Sequence, residues 1–205
     1  DLHSFPTRRS SDLEPGLCLG LQILGYKSKT IAERFDSVVS ATANNSVLTR
    51  TTSPLYLTDS ERGAIREKIS GPMKKIGVTK SLLLRLNVAV GDASIPPYFP
   101  KEVEIEHVMP QRTGTNGSWA EHFPNESERE KLLHLLGNLA LLTSKINKAA
   151  SNAPFAAKRK KVFSLNQNNC FALTANIAAH SEWTPDAILK RQHELVRHAS
   201  EIMGL

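Results

Sequence analysis

Apolar residues recur at helical spacing through the first half of the chain. Leu17, Leu21 and Leu24 fall on one face before Gly25, a residue that stops such runs. Ile31, Phe35, Val38 and Val39 predict a second apolar face. The Thr-, Asn- and Ser-rich stretch 42–54 predicts a loop. Thr58 and Glu61 have the spacing of a capping box, in which hydroxyl and carboxylate each satisfy a backbone N–H at a helix start. Ile65, Ile69, Met73 and Ile76 follow, and Gly71-Pro72 should break that run, because proline has no amide hydrogen and crowds the preceding turn. The dense apolar segment 81–90, with Arg85 inside it, predicts a buried helix.

The pattern changes at residue 91. Pro96, Pro97 and Pro100 exclude a regular helix from 91–100, and a module boundary is placed there. Val103, Glu104, Ile105, Glu106 and His107 alternate apolar and polar, the period of a half-buried strand. Ser127 and Glu130 repeat the capping-box pattern ahead of Leu132, Leu133, Leu135 and Leu136. Residues 139–142 form a short apolar strand candidate. Ser144 opens a helix with a basic face that is expected to run on toward Lys158–Lys161. Thr184-Pro185-Asp186 opens the last helix, whose apolar face is Ile188, Leu195, Ala199 and Ile202. The expected fold class is α+β, mainly helical. The expected organisation is a tail at 1–13, a helical region at 14–90, whole or truncated, and a second module at 91–205. The tail, DLHSFPTRRSSDL, reads either as translated adapter sequence, with the natural protein extending upstream, or as a disordered tail. It is assigned no function.

Composition adds little. A chain of 205 residues with 40% hydrophobic and 22% charged positions can bury a core. A net charge of +6 suits a polyanionic partner such as nucleic acid. Cys18 and Cys170 are far apart and form no CxxC pair, so neither a disulfide framework nor a cysteine zinc site is indicated, and a reducing, cytoplasmic setting fits. No apolar run is long enough to span a membrane.

The chemistry concentrates in 104–111 and 135–152. Hydrolysis of a phosphodiester needs a base to deprotonate water and a cation to neutralise phosphate charge. His107 at a strand end can serve as the base, and the oxygens of Glu106 and Asn147 suit Mg2+, with Mn2+ tolerated. Neighbouring strand residues point to opposite faces, so a bend before Pro110 is needed for Glu106 and His107 to share a site. Asn138, after Gly137, can be a turn residue or an organiser of the site. Lys158, Arg159, Lys160 and Lys161 form either a solvated face or a phosphate track. Trp119 and Phe155 read as core. His122, His134, His180, His193 and His198 are scattered and read as non-catalytic.

Glu106-His107, Asn138 and Asn147 resemble the HNH, or His-Me finger, nucleases. That resemblance implies a ββα-metal finger embedded among helices, with Glu106 and Asn147 as metal ligands, His107 as general base and Asn138 ordering the loop. The Asn138–Asn147 separation is also that of the HNH domain of RNA-guided DNA nucleases, which carry Asp where this chain has Glu106. The wider pattern resembles the C-terminal domain of GmrSD-type modification-dependent restriction endonucleases from about Lys80 to Leu205. It comprises E-H-x-x-P-Q, Trp119, L-G-N-L-x-L-L, then Asn147, Ser151, Asn152, Phe155 and Lys158, and a final helix after Trp183. This implies a DNA endonuclease acting against foreign or modified DNA, with a ParB-like NTPase domain or subunit as partner. No G-x-x-x-x-G-K-[ST] loop is present in the chain. Two other readings stay open: a nuclease-like module that binds nucleic acid without cutting, and a structural part of a larger NTPase assembly.

Overall fold

A computed structural model describes residues 13–44, 53–91, 102–112, 118–150, 152–163 and 171–205. The tail at 1–12, most of the expected 42–54 loop, the proline-rich 92–100 stretch, Ser151 and Cys170 lie outside the described residues. The fold is α+β and mainly helical, with one two-stranded antiparallel sheet among the described residues. None of the described helices is long and apolar enough to cross a membrane.

The chain divides into two compact units, Asp1–Lys68 with Ser200–Leu205, and Ile69–Ala199. In the first, helix α1 (Leu13–Leu24) ends where Gly25 takes φ 91°, a left-handed conformation that glycine adopts without steric cost. Helix α2 spans Ser28–Ala43 and so extends into the stretch expected to be loop. Helix α3 (Asp59–Ser70) starts with the predicted capping box: Glu61 N donates to Thr58 Oγ1 at 3.2 Å, and Thr58 N donates to Glu61 Oε2 at 2.8 Å. Arg34 Nη1 donates to the other Glu61 oxygen, which ties α2 to that cap. A Cβ added to Gly20 would stand 2.9 Å from Ile65 Cδ1, so a larger residue here would make the Ile65 side chain shift where α1 meets α3.

The second unit holds the hairpin. Helix α4 spans Ile76–Val90, and strand β1 spans Val103–His107. Helices α5 (Ser118–His122) and α6 (Glu126–Leu133) lead to a 3-10 turn, Leu136–Asn138, and strand β2 (Leu139–Thr143). The register pairs Val103 with Thr143 and His107 with Leu139. Helix α7 (Ser144–Ala150) follows β2 directly and packs on both strands, completing a ββα unit. Beyond it come α8 (Phe155–Lys158), a π-helical turn (Arg159–Phe163), α9 (Ala172–Ala175) and α10 (Pro185–Met203). The α6 cap differs from expectation. Asn125, not Ser127, is the N-cap, and its Oδ1 accepts from both Ser127 N and Glu128 N, so the serine already lies inside the helix.

The core beside the hairpin joins Val108, Met109, Ala140 and Leu142 to Trp119, Phe155, Phe163 and Trp183. Phe155 and Trp183 stack with ring centroids 5.5 Å apart. α10 reaches the 3-10 turn by backbone proximity: a Cβ on Gly137 would stand 2.2 Å from the Ile188 carbonyl oxygen. Gln192 Oε1 accepts from Gly137 N, and the buried Arg191 donates to the carbonyls of Leu136, Gly137, Leu139 and Leu173. Helix α10 therefore fixes the turn that carries Asn138.

Candidate active site

The end of β1 is held on its carboxylate side by two helices. Alternation along the strand places Glu104 and Glu106 on the same side. From α8, Lys158 Nζ donates to Glu106 Oε1 at 2.6 Å and to the carbonyls of His107 and Val108 at 3.1 and 3.2 Å. An ammonium has three N–H donors, and these three oxygens use them all. Burial pushes the Glu106 carboxyl up and the Lys158 ammonium down, and their mutual attraction opposes both shifts. From α7, Asn147 Nδ2 donates to Glu104 Oε2 at 2.5 Å. Asn147 Oδ1 is buried and has no hydrogen-bond partner.

His107 is held differently. Its Nε2 lies 3.2 Å from His134 Nδ1, and the two rings meet edge to face at 77°. Burial first, then the neighbouring His134 and Lys158, lower the His107 pKa from 6.5 to about 4, so the imidazole is neutral at pH 7. Burial and then the charge of Lys74 lower His134 as well.

Asn138 organises the chain that follows His107. It is fully buried, and its Oδ1 accepts from Met109 N at 2.8 Å and from Trp183 Nε1 at 3.1 Å. Its Nδ2 donates to the carbonyls of Met109 and Leu133 at 3.1 and 3.0 Å. Val108 N donates to its main-chain oxygen at 2.9 Å. These bonds turn the chain out of β1 immediately after His107.

That turn opens a cleft of about 420 Å³. Glu106, His107 and Asn147 all border it, as do Gln111, Arg112 and Asn152, whereas Asn138 and Lys158 do not. The donors fit a hard divalent cation: a carboxylate from Glu106 and the unpartnered Asn147 Oδ1. Among the described residues no group of three or more His, Cys, Asp or Glu could hold a metal, so a cation here would rest on this short oxygen set, with water and substrate completing it.

The basic run does not lie where the sequence pattern put it. The helix carrying Asn147 does not continue to Lys158; α7 ends at Ala150, and Pro154 precedes α8. Lys158 is 0% exposed, so it cannot form part of a face presented to phosphates. Arg159 Nε donates to the Ala178 carbonyl at 2.9 Å. Lys160 is exposed, and the Lys161 side chain lies outside the described residues.

Sequence reasoning missed three contributors. His134 touches His107 across 27 residues of sequence, with no motif to announce it. Glu104 receives Asn147, and only the strand period, which puts it beside Glu106, hinted at this. Arg112 borders the cleft and is exposed, close behind the E-H-x-x-P-Q pattern.

Residues 61–198 match the family model for the C-terminal domain of GmrSD restriction endonucleases. No curated protein matches the chain.

Proposed function

The chain belongs to the family of GmrSD restriction endonuclease C-terminal domains, and on that premise we propose that it is a metal-dependent endonuclease of HNH type that hydrolyses DNA. The observation that carries the proposal is the meeting of Glu106, His107 and Asn147 around one cleft. His107 is the general base. Its neutral imidazole can accept a proton from water at pH 7, and the negative charge of a phosphate beside it would raise its basicity. Glu106 and Asn147 Oδ1 hold a divalent cation, Mg2+ or Mn2+, which when bound neutralises charge on the phosphate and the leaving oxygen. Lys158 keeps the Glu106 carboxylate in place and fastens the strand end through two carbonyls. Asn138 sets the turn after His107. Arg112, exposed at the cleft, supplies a cation for the substrate backbone. In this reading the enzyme acts on foreign or modified DNA together with a ParB-like NTPase domain or subunit.

The test is nicking of a supercoiled plasmid with Mg2+, with Mn2+ and with EDTA, using wild type and His107→Ala. Cutting should require the divalent ion. His107→Ala should lower the rate by about 10²–10⁴-fold, the usual contribution of a general base, while duplex affinity is retained. A folded His107→Ala protein that cuts at the wild-type rate overturns the role of His107. Duplex binding without cutting under any metal condition replaces the enzyme with a binding module.

A further inference from the structure

We infer that His134 is a positioning residue for His107: it holds the Nε2 edge of that imidazole and leaves Nδ1 as the nitrogen offered to the cleft. This rests on His107 being the general base. A neutral imidazole carries one N–H donor and one bare acceptor nitrogen, so the contact on one nitrogen sets the state of the other. His107 Nε2 and His134 Nδ1 are 3.2 Å apart, and one of them must donate. For His107 to act as a base through the nitrogen that His134 does not hold, Nε2–H donates and His134 Nδ1 accepts. His134 then carries its own proton on Nε2. Burial, and then the charge of Lys74, favour this sharing, because both oppose an imidazolium at His134 and so preserve the Nδ1 lone pair.

The backbone around both rings supports a built contact. His134 is the C-cap of α6, and its carbonyl accepts from Met73 N at 2.7 Å. Asn138 Nδ2 donates to the carbonyls of Met109 and Leu133, two residues after His107 and one before His134. One buried amide thus sets the chain beside each histidine. The rings meet edge to face at 77°, an arrangement that restrains the plane of His107.

The test uses the full chain as wild type, His134→Ala and His134→Asn. Asparagine can place its side-chain oxygen near the position of the lost Nδ1, and alanine cannot. Two readouts are taken: kcat and KM for plasmid nicking with Mg2+, and the ring nitrogen shifts of His107 by NMR in EDTA. Wild type should show His107 protonated at Nε2. His134→Ala should lower kcat by about 10–100-fold, the usual cost of losing an outer-shell partner, with KM unchanged and a mixture of His107 tautomers. His134→Asn should recover most of the rate and the single tautomer. The inference is overturned by an Nδ1–H tautomer in wild type, by an unchanged kcat in His134→Ala, or by an asparagine variant as slow as alanine. If His134→Ala fails to fold, the wild-type tautomer and the asparagine variant still decide. If wild type cuts nothing, the nuclease reading fails, and the tautomer experiment separately reports whether His134 sets the ring.

Discussion

Asn138 and Asn147 flank β2, one immediately before the strand and one in the first turn of the helix that follows it, and their surroundings are opposite. Around Asn138 every side-chain polar group is used: the oxygen accepts twice and the amide donates twice, all inside the core. Around Asn147 the amide is used and the oxygen is not, although that oxygen is buried. A saturated buried amide specifies a single backbone path. A buried oxygen left over costs about 1–3 kcal/mol unless something binds it. The same residue type therefore stands in two opposite settings nine residues apart: Asn138 builds the turn, and Asn147 keeps an unpartnered oxygen beside the cleft.

The largest expected effect tests that division directly. Asn138→Ala strands Met109 N, Met109 O, Leu133 O and Trp183 Nε1. At about 1–3 kcal/mol for each stranded group, the loss should be on the order of 4 kcal/mol or more, a large part of the stability of a typical domain. Asn147→Ala loses one hydrogen bond but also removes the unsatisfied oxygen, so stability should change by less than about 1 kcal/mol. Its nicking rate with Mg2+ should nevertheless fall by at least the roughly 10–100-fold that outer-shell changes cost a metal site. Denaturant unfolding and plasmid nicking on both variants check this. A stable but inactive Asn138→Ala, or a destabilised but active Asn147→Ala, would reverse the assignment.

Local chemistry was legible in the sequence, and partnership was not. The Gly25 stop, the Thr58/Glu61 cap, both strands and the start of α10 follow from periodicity and capping within a few residues. Two of the failures involve partners far along the chain. Lys158 sits in a run that looks like surface, yet a carboxylate 52 residues earlier, with two carbonyls beside it, draws it inside. His134 looked like one scattered histidine among several, and only the return of α6 toward β1 brings it to His107. One failure is local: the capping-box pattern put the α6 cap at Ser127, but Asn125 holds it, because its side chain captures two amides at once. The bend that lets Glu106 and His107 border one cleft was anticipated from Pro110, but the bonds that make it belong to Asn138, 29 residues beyond Met109.

Acid should separate the two sides of β1 by a smaller amount. His107 titrates at about 4 in the folded chain and at its ordinary 6.5 when unfolded. Between those values the unfolded chain binds the extra proton, so stability is present above pH 6.5, declines as pH falls, and this contribution is gone near pH 4. His134 is shifted the same way and adds to the loss. Glu106 is raised, so it opposes the loss in the carboxylate range, where the folded chain is the better proton acceptor. The expected decline is on the order of 2–3 kcal/mol across the window. Urea unfolding in EDTA at several pH values measures it. The slope should flatten in His107→Ala, and an equal slope in both proteins would mean that the histidine side of the strand is not the acid-sensitive one.

The smallest effect concerns grip on the substrate rather than the cleft itself. Of the basic run 158–161, Lys158 is committed to Glu106, and Arg159 donates into the Ala178 carbonyl. Replacing Lys158 would leave a buried carboxylate without its partner and would report on folding, not on DNA. Lys160 is exposed, so it is the member of the run that can be tested cleanly for phosphate contact. Each phosphate neutralised on duplex DNA contributes about −0.9 to the slope of log affinity against log salt. Lys160→Ala, made in a His107→Ala background to prevent cutting, should therefore reduce that slope by about one and weaken binding modestly at low salt, with no change in thermal stability. The measurement is duplex affinity at several salt concentrations. An unchanged slope would assign Lys160 to a solvated face, and the search for the DNA track would move to Arg112, the exposed cation already at the cleft.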